Sequence, residues 1–529
     1  MDANGPESAT GGNGRGRRPP TPVFGIPDSA LRRFHATVLD PATADRIGDE
    51  PAPHPVGYIP HRLLVPGLTQ DQLGDPLGIL AELGDQMGFS ARVLPSAVVG
   101  PAAELGYDDR LGRVMHTAVE LVPAAARLAA PLDAWSVLQR ARAEFGEKVA
   151  RWGLNHVLMS AGSLEGVGYM GGVGYMGGVG YMGGVGYMGG VGYMGGVGAP
   201  GTATGRGPVV LDVPAPAGTG RCSPVVAVLD TGLGEHPWFD GSPLVERDPR
   251  VGGVPIGLRF AAADDPERAG VTIDHVNGTL DALAGHGTFV AGVIRQHCPD
   301  ARLVIVPVMY GDGAADERDV IEALGALALY HWAALDGRGD GDPVDVVNLS
   351  LGYYHESPGA VEDEGALFGL LRALAEDGVA VVAAAGNGAT TEHFWPAALT
   401  TRAATAVPVT SVGAANPADG TVAVFSNTGD WVTTYEPGVA VVSTMPVTLD
   451  GSGRGGLAVP AHGASPARAT ADPDRYRTGF GTWSGTSFAC PRCAGRVAAE
   501  LAGTEAPESP EKRADRVRAA LGTVLGGSP

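Results

Sequence analysis

The chain has 529 residues, of which 44% are hydrophobic, and its formal net charge is −21. A chain of this length is expected to form two or three domains around a sizeable hydrophobic core. The acidic excess argues against nucleic acid and anionic membranes as partners, because both select basic protein faces. Four cysteines are too few for a disulfide scaffold.

Residues 1–55 are rich in Pro, Gly and Ala and have no hydrophobic periodicity, which predicts a disordered tail. This segment contains no apolar run long enough for a signal peptide. No stretch of about eighteen uncharged apolar residues, the length of a transmembrane helix, occurs in the chain. We therefore expect a cytoplasmic protein without a membrane partner. An incorrectly assigned start would instead allow secretion.

Residues 56–162 have the pattern of a small α/β domain. Apolar runs and helical spacing predict strands over 62–65, 91–94 and 154–159 and helices over 71–87, 109–127 and 132–150. No catalytic constellation is evident in this domain.

Residues 163–220 are predicted to be a linker. The hexapeptide GVGYMG occurs five times in succession from residue 166. Half of each repeat is glycine, so ordering it would cost much conformational entropy. A flexible spacer is the simplest interpretation, and self-association through the tyrosines is the alternative.

Residues 221–529 alternate between strand and helix patterns, which predicts a parallel sheet covered by helices on both faces. The predicted strands are 225–229, 303–308, 344–349, 379–385 and 409–414, and the predicted helices are 286–297, 317–335, 362–376 and 485–501. Residues 449–479, rich in Gly, Ala, Pro and Arg, are predicted to be a surface insertion.

Four polar residues stand at the ends of these elements. Asp230 and Asn387 follow buried strands, and His286 and Ser487 begin apolar helices. Each has an ordinary explanation by itself, as a helix cap or a turn residue. Because the carboxyl ends of parallel strands share one sheet edge, we predict that all four converge there.

These residue types complete one another chemically. Ser487 as a nucleophile needs a base, which His286 supplies, and Asp230 would orient the imidazole and stabilise its cation. The backbone N–H of Ser487 and the side-chain amide of Asn387 would hold the oxyanion.

The region from about 222 to 503 resembles the subtilisin family of serine proteases. Its catalytic residues follow the subtilisin order Asp, His, Ser. The resemblance is carried by Val226–Gly232, by His286-Gly287-Thr288 and by Gly485-Thr486-Ser487. It implies a three-layer subtilisin-like fold and hydrolysis of peptide bonds through an acyl-enzyme on Ser487. One departure is Phe488, where the family usually has Met.

The resemblance also implies where substrate binds. One segment would pair with the substrate as an added strand, and a second would help to line the first specificity pocket. These substrate-binding residues are Ser350, Leu351, Gly352, Ala384, Ala385 and Gly386. We expect protein or peptide substrates, with a modest preference for apolar residues.

No cofactor and no metal site is predicted. Family members often bind structural calcium, but no acidic loop of this chain matches such a site. The loop acids Asp274, Asp281, Asp312 and Asp316 are therefore interpreted as ordinary. Cys490 and Cys493 form an isolated C-x-x-C and are expected to be buried core residues.

Residues 56–162 occupy the position of the family's propeptide. The resemblance implies that this domain is an intramolecular inhibitor or a folding chaperone of the protease domain. A permanently attached regulatory domain is the alternative.

Two other functions compete with an endopeptidase. A catalytically silent module would bind extended peptides at the same sheet edge, but such proteins usually lose a member of the triad. An esterase is disfavoured because Gly485-Thr486-Ser487-Phe488-Ala489 lacks the second glycine of the nucleophile elbow.

Overall fold

The structure is a computed structural model that describes residues 25–47, 51–124, 132–161, 206–339, 341–357, 365–401, 405–454, 457–505, 507 and 509–526. Within these ranges, no helix combines the length and the apolar character needed to cross a membrane. The GVGYMG repeats lie outside the described residues.

The N-terminal unit is an antiparallel sheet with helices packed against it. Its strands are β1 (Thr37–Val38), β2 (Gly57–Pro66), β3 (Phe89–Val93), β4 (His116–Pro123) and β5 (Gly153–Ser160). Its helices are α1 (Asp28–Phe34), α2 (Gly74–Met87), α3 (Val99–Leu105), α4 (Asp108–Gly112) and α5 (Ala134–Phe145), followed by a 3-10 turn at Gly146–Val149. The main strands lie in the order β5-β2-β4-β3.

Two expectations for this unit differ from the structure. The helix expected over 109–127 is wrong, because α4 ends at Gly112 and β4 begins at His116. Most of β4 is buried, so its residues show no alternation, and an apolar run of that kind cannot be assigned from periodicity alone.

The segment 1–55, predicted as a disordered tail, contains helix α1. This helix buries Phe34 against the ring of Tyr310, with centroids 5.6 Å apart.

The other strands of the described residues, β6 to β22, lie in the C-terminal unit. In chain order they are β6 (Gly207–Pro208), β7 (Val225–Asp230), β8 (Val245–Glu246), β9 (Arg250–Val251), β10 (Val254–Pro255), β11 (Arg302–Pro307), β12 (Ala314–Asp316), β13 (Val346–Leu349), β14 (Leu351–Tyr354), β15 (Ala380–Ala384), β16 (Phe394–Trp395), β17 (Thr410–Ala415), β18 (Thr434–Pro437), β19 (Val441–Thr444), β20 (Ala458–Val459), β21 (Arg468–Ala469) and β22 (Phe480–Trp483). A seven-stranded parallel sheet runs in the order β18-β17-β15-β13-β7-β11-β8.

Helices cover this parallel sheet. They are α6 (His286–His297), α7 (Glu317–Leu335), α8 (Ala366–Glu376), α9 (Thr486–Leu501) and α10 (Pro510–Gly526), with a 3-10 helix at Ala397–Thr401. Helix α9 packs on α6 and on β13, β15 and β17, whereas α7 and α8 pack on each other. Every residue of β7, β13 and β15 is buried, as a doubly covered sheet requires. The predicted three-layer subtilisin-like fold is confirmed.

The direction of sheet progression reverses at β7, which lies between β11 and β13. In open α/β sheets, ligands bind in the crevice beyond the carboxyl ends of the strands at such a reversal. Asp230 is the last residue of β7 and therefore faces this crevice.

Strand β5 joins the two units. Its first half pairs with β2, and its second half lies antiparallel between β12 and β14. Val157 to Ser160 thus extend the sheet of one unit into the other. The resulting eight-stranded sheet spans both parts of the molecule.

The predicted linker 163–220 and the predicted insertion 449–479 differ in how their described residues pack. The last part of the predicted linker, from residue 206, lies on the C-terminal unit: β6 pairs with β22, and the buried Arg206 donates to the carbonyls of Asp281 and Ala284. In the predicted insertion 449–479, β20 and β21 form a hairpin whose residues are largely exposed.

Candidate active site

Asp230 and His286 are hydrogen-bonded at the carboxyl end of β7. Nδ1 of His286 lies 2.7 Å from Oδ1 of Asp230, and both side chains are fully buried. The N–H of Thr231 donates to the same oxygen at 2.8 Å. A carboxylate that accepts from Nδ1 leaves Nε2 of the imidazole as the proton acceptor.

Glycines allow the segments that carry Asp230 and His286 to approach each other. A Cβ atom on Gly287, the second residue of α6, would lie 2.2 Å from the carbonyl oxygen of Gly232. Gly285, which precedes α6, has φ of 83°, a conformation that costs glycine little. The first turn of the His286 helix therefore packs directly on the loop after Asp230.

Ser487 is the second residue of α9 and is fully buried. Pro491, four residues later, has no N–H to donate to the Ser487 carbonyl. That carbonyl instead accepts from Ser350 Oγ at 3.2 Å, while Ser487 Oγ donates to the Ser350 carbonyl at 3.3 Å. Transfer of the Ser487 proton to His286 requires the hydroxyl to turn away from Ser350. Catalytic hydrogen bonds often form only in the substrate complex.

The amide of Asn387 is oriented by Thr486. Its Oδ1 accepts from both the N–H and the hydroxyl of Thr486 at 3.0 Å, so its Nδ2 points to the other side. That Nδ2 is buried and has no hydrogen-bond partner among the described residues. An unsatisfied buried donor costs about 1–3 kcal/mol, so Nδ2 is a donor that remains free to bind another group.

This geometry agrees with comparisons to known proteins. The subtilase family description matches residues 222–523, more than half of the chain. The chain belongs to the subtilase family. Residues 222–523 are therefore a subtilase-family domain, as the sequence motifs implied.

Two curated relatives show how far the similarity extends. The chain is 30% identical over 222 residues to a thermophilic serine proteinase of Bacillus sp. (strain AK1) and 27% identical over 311 residues to serine protease AprX of Bacillus subtilis (strain 168). These alignments cover 42% and 56% of this chain, and 45% and 60% of the relatives. The chain thus spans about half the length of these curated relatives.

Among solved structures, the chain is similar to fervidolysin from Fervidobacterium pennivorans, described as a keratinolytic enzyme related to subtilisin. The TM-score is 0.43 at 17% sequence identity, over 87% of this chain and 56% of that chain.

Glu267 is a buried acid of the subtilase domain that the sequence analysis missed. Its carboxyl group accepts from the N–H of Gly287 at 2.9 Å and from Thr288 Oγ1 at 2.5 Å, and it also bonds to Thr231 Oγ1. Burial raises its pKa to about 7, a rise that the threonine hydroxyls oppose and the charge of Asp230 reinforces. No local sequence pattern around Glu267 predicts this contact, because its loop meets α6 only in the tertiary structure.

Phe488 fills the space behind Ser487. Its ring lies 5.3 Å from the His286 ring, 4.5 Å from Phe289 and 5.2 Å from Trp483, centroid to centroid. This residue, where the subtilase family usually has Met, therefore supports the imidazole through an aromatic cluster. Cys490 and Cys493 are free, buried thiols whose pKa is raised by burial, to about 12 for Cys493, as expected of core residues.

The end of β5 lies against the predicted substrate-binding segment. The N–H of Ala161 donates to the Ser350 carbonyl at 2.9 Å, and Ser160 N–H donates to Gly313 at 2.7 Å. In register, Ser160 is opposite Leu351 and Met159 is opposite Gly352. The tail of the N-terminal unit therefore pairs with the predicted substrate-binding segment as an added antiparallel strand.

Ala161 and the residue before it lie beside Thr486 and His286. Its carbonyl oxygen is 3.4 Å from Thr486 Oγ1, and Oγ of the preceding Ser160 is 3.5 Å from His286 Nε2. The second predicted segment, Ala384, Ala385 and Gly386, is buried at the end of β15, and Gly386 N–H donates to Thr486 Oγ1 at 3.2 Å.

Two of the four loop acids, Asp312 and Asp316, form ion pairs between the two units. Asp312 pairs with Arg33 and Asp316 with Arg62, each at 2.8 Å. Asp281 accepts hydrogen bonds from Thr272, and Asp274 accepts them from Asn277.

One group of side chains has the composition of a metal site. Among the described residues, His156, His355 and Glu356 place ligand atoms within 4.8 Å of one another. Both ring nitrogens of His156 are already bonded to carboxylates, Nδ1 to Glu317 at 2.7 Å and Nε2 to Glu356 at 2.8 Å. This arrangement is satisfied as an ion cluster.

Proposed function

We propose that this protein is a serine endopeptidase in which Asp230, His286 and Ser487 form the catalytic triad. The observation that carries the proposal is the fully buried 2.7 Å hydrogen bond between His286 and Asp230, at the sheet edge where α9 begins with Ser487. The similarity to named serine proteinases supports the same reaction class.

In this mechanism His286 Nε2 takes the proton of Ser487 as the Oγ attacks the peptide carbonyl. Asp230 stabilises the imidazolium that forms. The imidazolium then protonates the leaving amine, and an acyl-enzyme remains on Ser487. A water molecule, deprotonated by the same imidazole, hydrolyses the acyl-enzyme and regenerates the hydroxyl.

Asn387 Nδ2 and the Ser487 N–H are the proposed oxyanion donors. The support is that Nδ2 is buried and has no hydrogen-bond partner in the part of the chain that the structure describes, while its amide is fixed through Oδ1. A preorganised donor of this kind stabilises the negative charge of the tetrahedral intermediate without reorganising.

We also propose that the N-terminal unit inhibits the protease domain within the same chain. Its tail blocks the segment from Ser350 to Gly352 through main-chain hydrogen bonds, and the Ala161 carbonyl oxygen lies 3.4 Å from Oγ1 of Thr486, the residue before Ser487. A substrate must therefore displace this tail.

Replacing Ser487 by Ala tests the assignment. We expect the wild-type protein to hydrolyse casein and to react with a fluorophosphonate probe, and the Ser487→Ala variant to lose both because it lacks the nucleophile. Ser465→Ala, in the exposed β20–β21 hairpin, is the matched control and should behave as the wild type.

Equal hydrolysis and labelling by the wild type and Ser487→Ala would contradict the proposal. Peptide binding by the wild type without turnover or labelling would favour the silent peptide-binding module instead.

A further inference from the structure

Two main-chain segments border the space beside Ala161. One runs from Ser350 into the start of β14 at Gly352, and the other from Ala384, the last residue of β15, to Gly386. In the proposed endopeptidase, the side chain of the residue that precedes the cleaved bond enters the space between them. The width of this gap therefore limits the substrates.

A phenylalanine ring stands between these segments. A Cβ atom on Gly352 would lie 2.6 Å from Phe394 Cε1, and a Cβ atom on Gly386 would lie 3.0 Å from Phe394 Cδ1. One ring thus reaches both glycines, and it is 4% exposed. The gap is occupied by the protein's own side chain.

The position of this ring is set by strand pairing. In the β14–β16 ladder, Phe394 is directly opposite Tyr354, and the two rings pack edge to face with centroids 5.1 Å apart. Tyr354 is held in turn by a hydrogen bond of 2.9 Å between its hydroxyl and Asn427 Nδ2. Cross-strand aromatic pairs of this kind stabilise a sheet, so moving the Phe394 ring would disrupt a packed contact.

The chain's own tail presents a small residue at this point. Ala161, with its N–H on Ser350 and its carbonyl beside Thr486, is 2% exposed. From these contacts we infer that Phe394 restricts the enzyme to substrates with Ala, Gly or Ser before the cleaved bond. This inference rests on the proposed endopeptidase activity and narrows the modest apolar preference expected from the sequence.

Matched peptides test the inference. Internally quenched peptides Val-Leu-Met-Ser-X-Gly-Ser copy residues 157–163 with Ala, Ser, Leu or Phe at X. Ratios of kcat/KM between peptides do not depend on the fraction of free active sites. We expect the wild type to favour Ala over Phe by about 10- to 200-fold, the range by which pocket size discriminates between apolar groups.

Phe394→Ala should shift this preference towards Leu and Phe by at least about 10-fold. Phe368→Ala removes a buried ring from α8 and should keep the wild-type ratios. The kcat/KM ratios of the wild type are enough to refute the inference. It therefore stays testable even if Phe394→Ala folds poorly.

Efficient wild-type cleavage after Phe or Leu would overturn the inference and leave the endopeptidase proposal intact. Ser487-dependent fluorophosphonate labelling without cleavage of any of the peptides would overturn it as well. If the wild type shows neither fluorophosphonate labelling nor peptide turnover, the proposed function itself is contradicted.

Discussion

At the residue scale, Glu267 connects the two halves of the proposed Asp230–His286 pair. Its carboxyl group holds the first N–H groups of α6 and, through Thr231, the loop after Asp230. A carboxyl group at this end of a helix is favoured by the unpaired N–H groups and by the helix dipole. We therefore regard Glu267 as a positioning residue for His286.

Glu267→Gln should lower kcat by about 10- to 100-fold, because small displacements of a catalytic group have effects of this size. The amide places an NH₂ group where the structure has only donors to Glu267, so the first turn of α6 loses acceptors. Steady-state kinetics on a quenched peptide measure the effect.

Glu235→Gln changes an exposed acid of the loop after β7 and is the matched control, for which we expect wild-type kcat. A Glu267→Gln enzyme with unchanged kcat would show that Glu267 has no positioning role.

At the scale of a single element, β5 carries a buried charge into the domain interface. His156 bonds to Glu317 of α7 and to Glu356 after β14, its ring stacks on Tyr353 at 4.4 Å, and His355 lies 5.7 Å from it. Burial by itself lowers the pKa of His156, but the two carboxylates outweigh burial and raise it to about 10. The other facing group is Arg142 of α5, 4.0 Å from Glu356.

This raised pKa makes docking of the tail depend on pH. An undocked imidazole has a pKa of about 6.5, so the contribution of His156 is complete below that pH and is lost as the pH rises towards 10. The carboxylate of Glu356, whose pKa is lowered although burial opposes this, loses its contribution only in acid. Docking should therefore weaken in alkaline solution.

We expect inhibition by the N-terminal unit to weaken about tenfold per pH unit between about pH 7 and 9. His156→Gln should be inhibited more weakly and show little of this dependence, because it cannot carry the charge. Because the inhibitor is part of the same chain, the rate of fluorophosphonate labelling across this pH range measures the fraction of molecules whose tail is undocked. The exposed His35→Gln is the control; the same slope in His156→Gln as in the wild type would refute the assignment.

At the scale of the whole molecule, the two units share a core and several ion pairs. Leu64, Leu111 and Met115 of the N-terminal unit belong to the same hydrophobic cluster as the parallel sheet. Arg110 adds a further interface ion pair by bonding to Asp377. The N-terminal unit is thus packed on the subtilase domain through more than the pairing of β5 with β14.

The position of Ala161 predicts self-cleavage between Ala161 and Gly162. We expect the wild type to yield chains of residues 1–161 and 162–529 that stay associated through their shared core, and Ser487→Ala to remain one chain. Intact mass and size-exclusion chromatography measure both results. A fully active wild type of unchanged mass would show that the N-terminal unit stays covalently attached.

Much of this architecture followed from the sequence. Buried strands such as β7 are continuous apolar runs, and α6 has clear helical spacing, so the layered fold was predictable. Strand β4 was not, because burial of most of its residues removes the alternation that distinguishes a strand from a helix.

The sequence by itself determined the family and the candidate residues Asp230, His286, Asn387 and Ser487, because these lie at element ends in short local motifs. Only the tertiary structure decided what surrounds them. Glu267 under α6, His156 between two carboxylates and Phe394 between two glycines are contacts between segments distant in the chain. Such contacts depend on how the elements pack, and no local spacing records them.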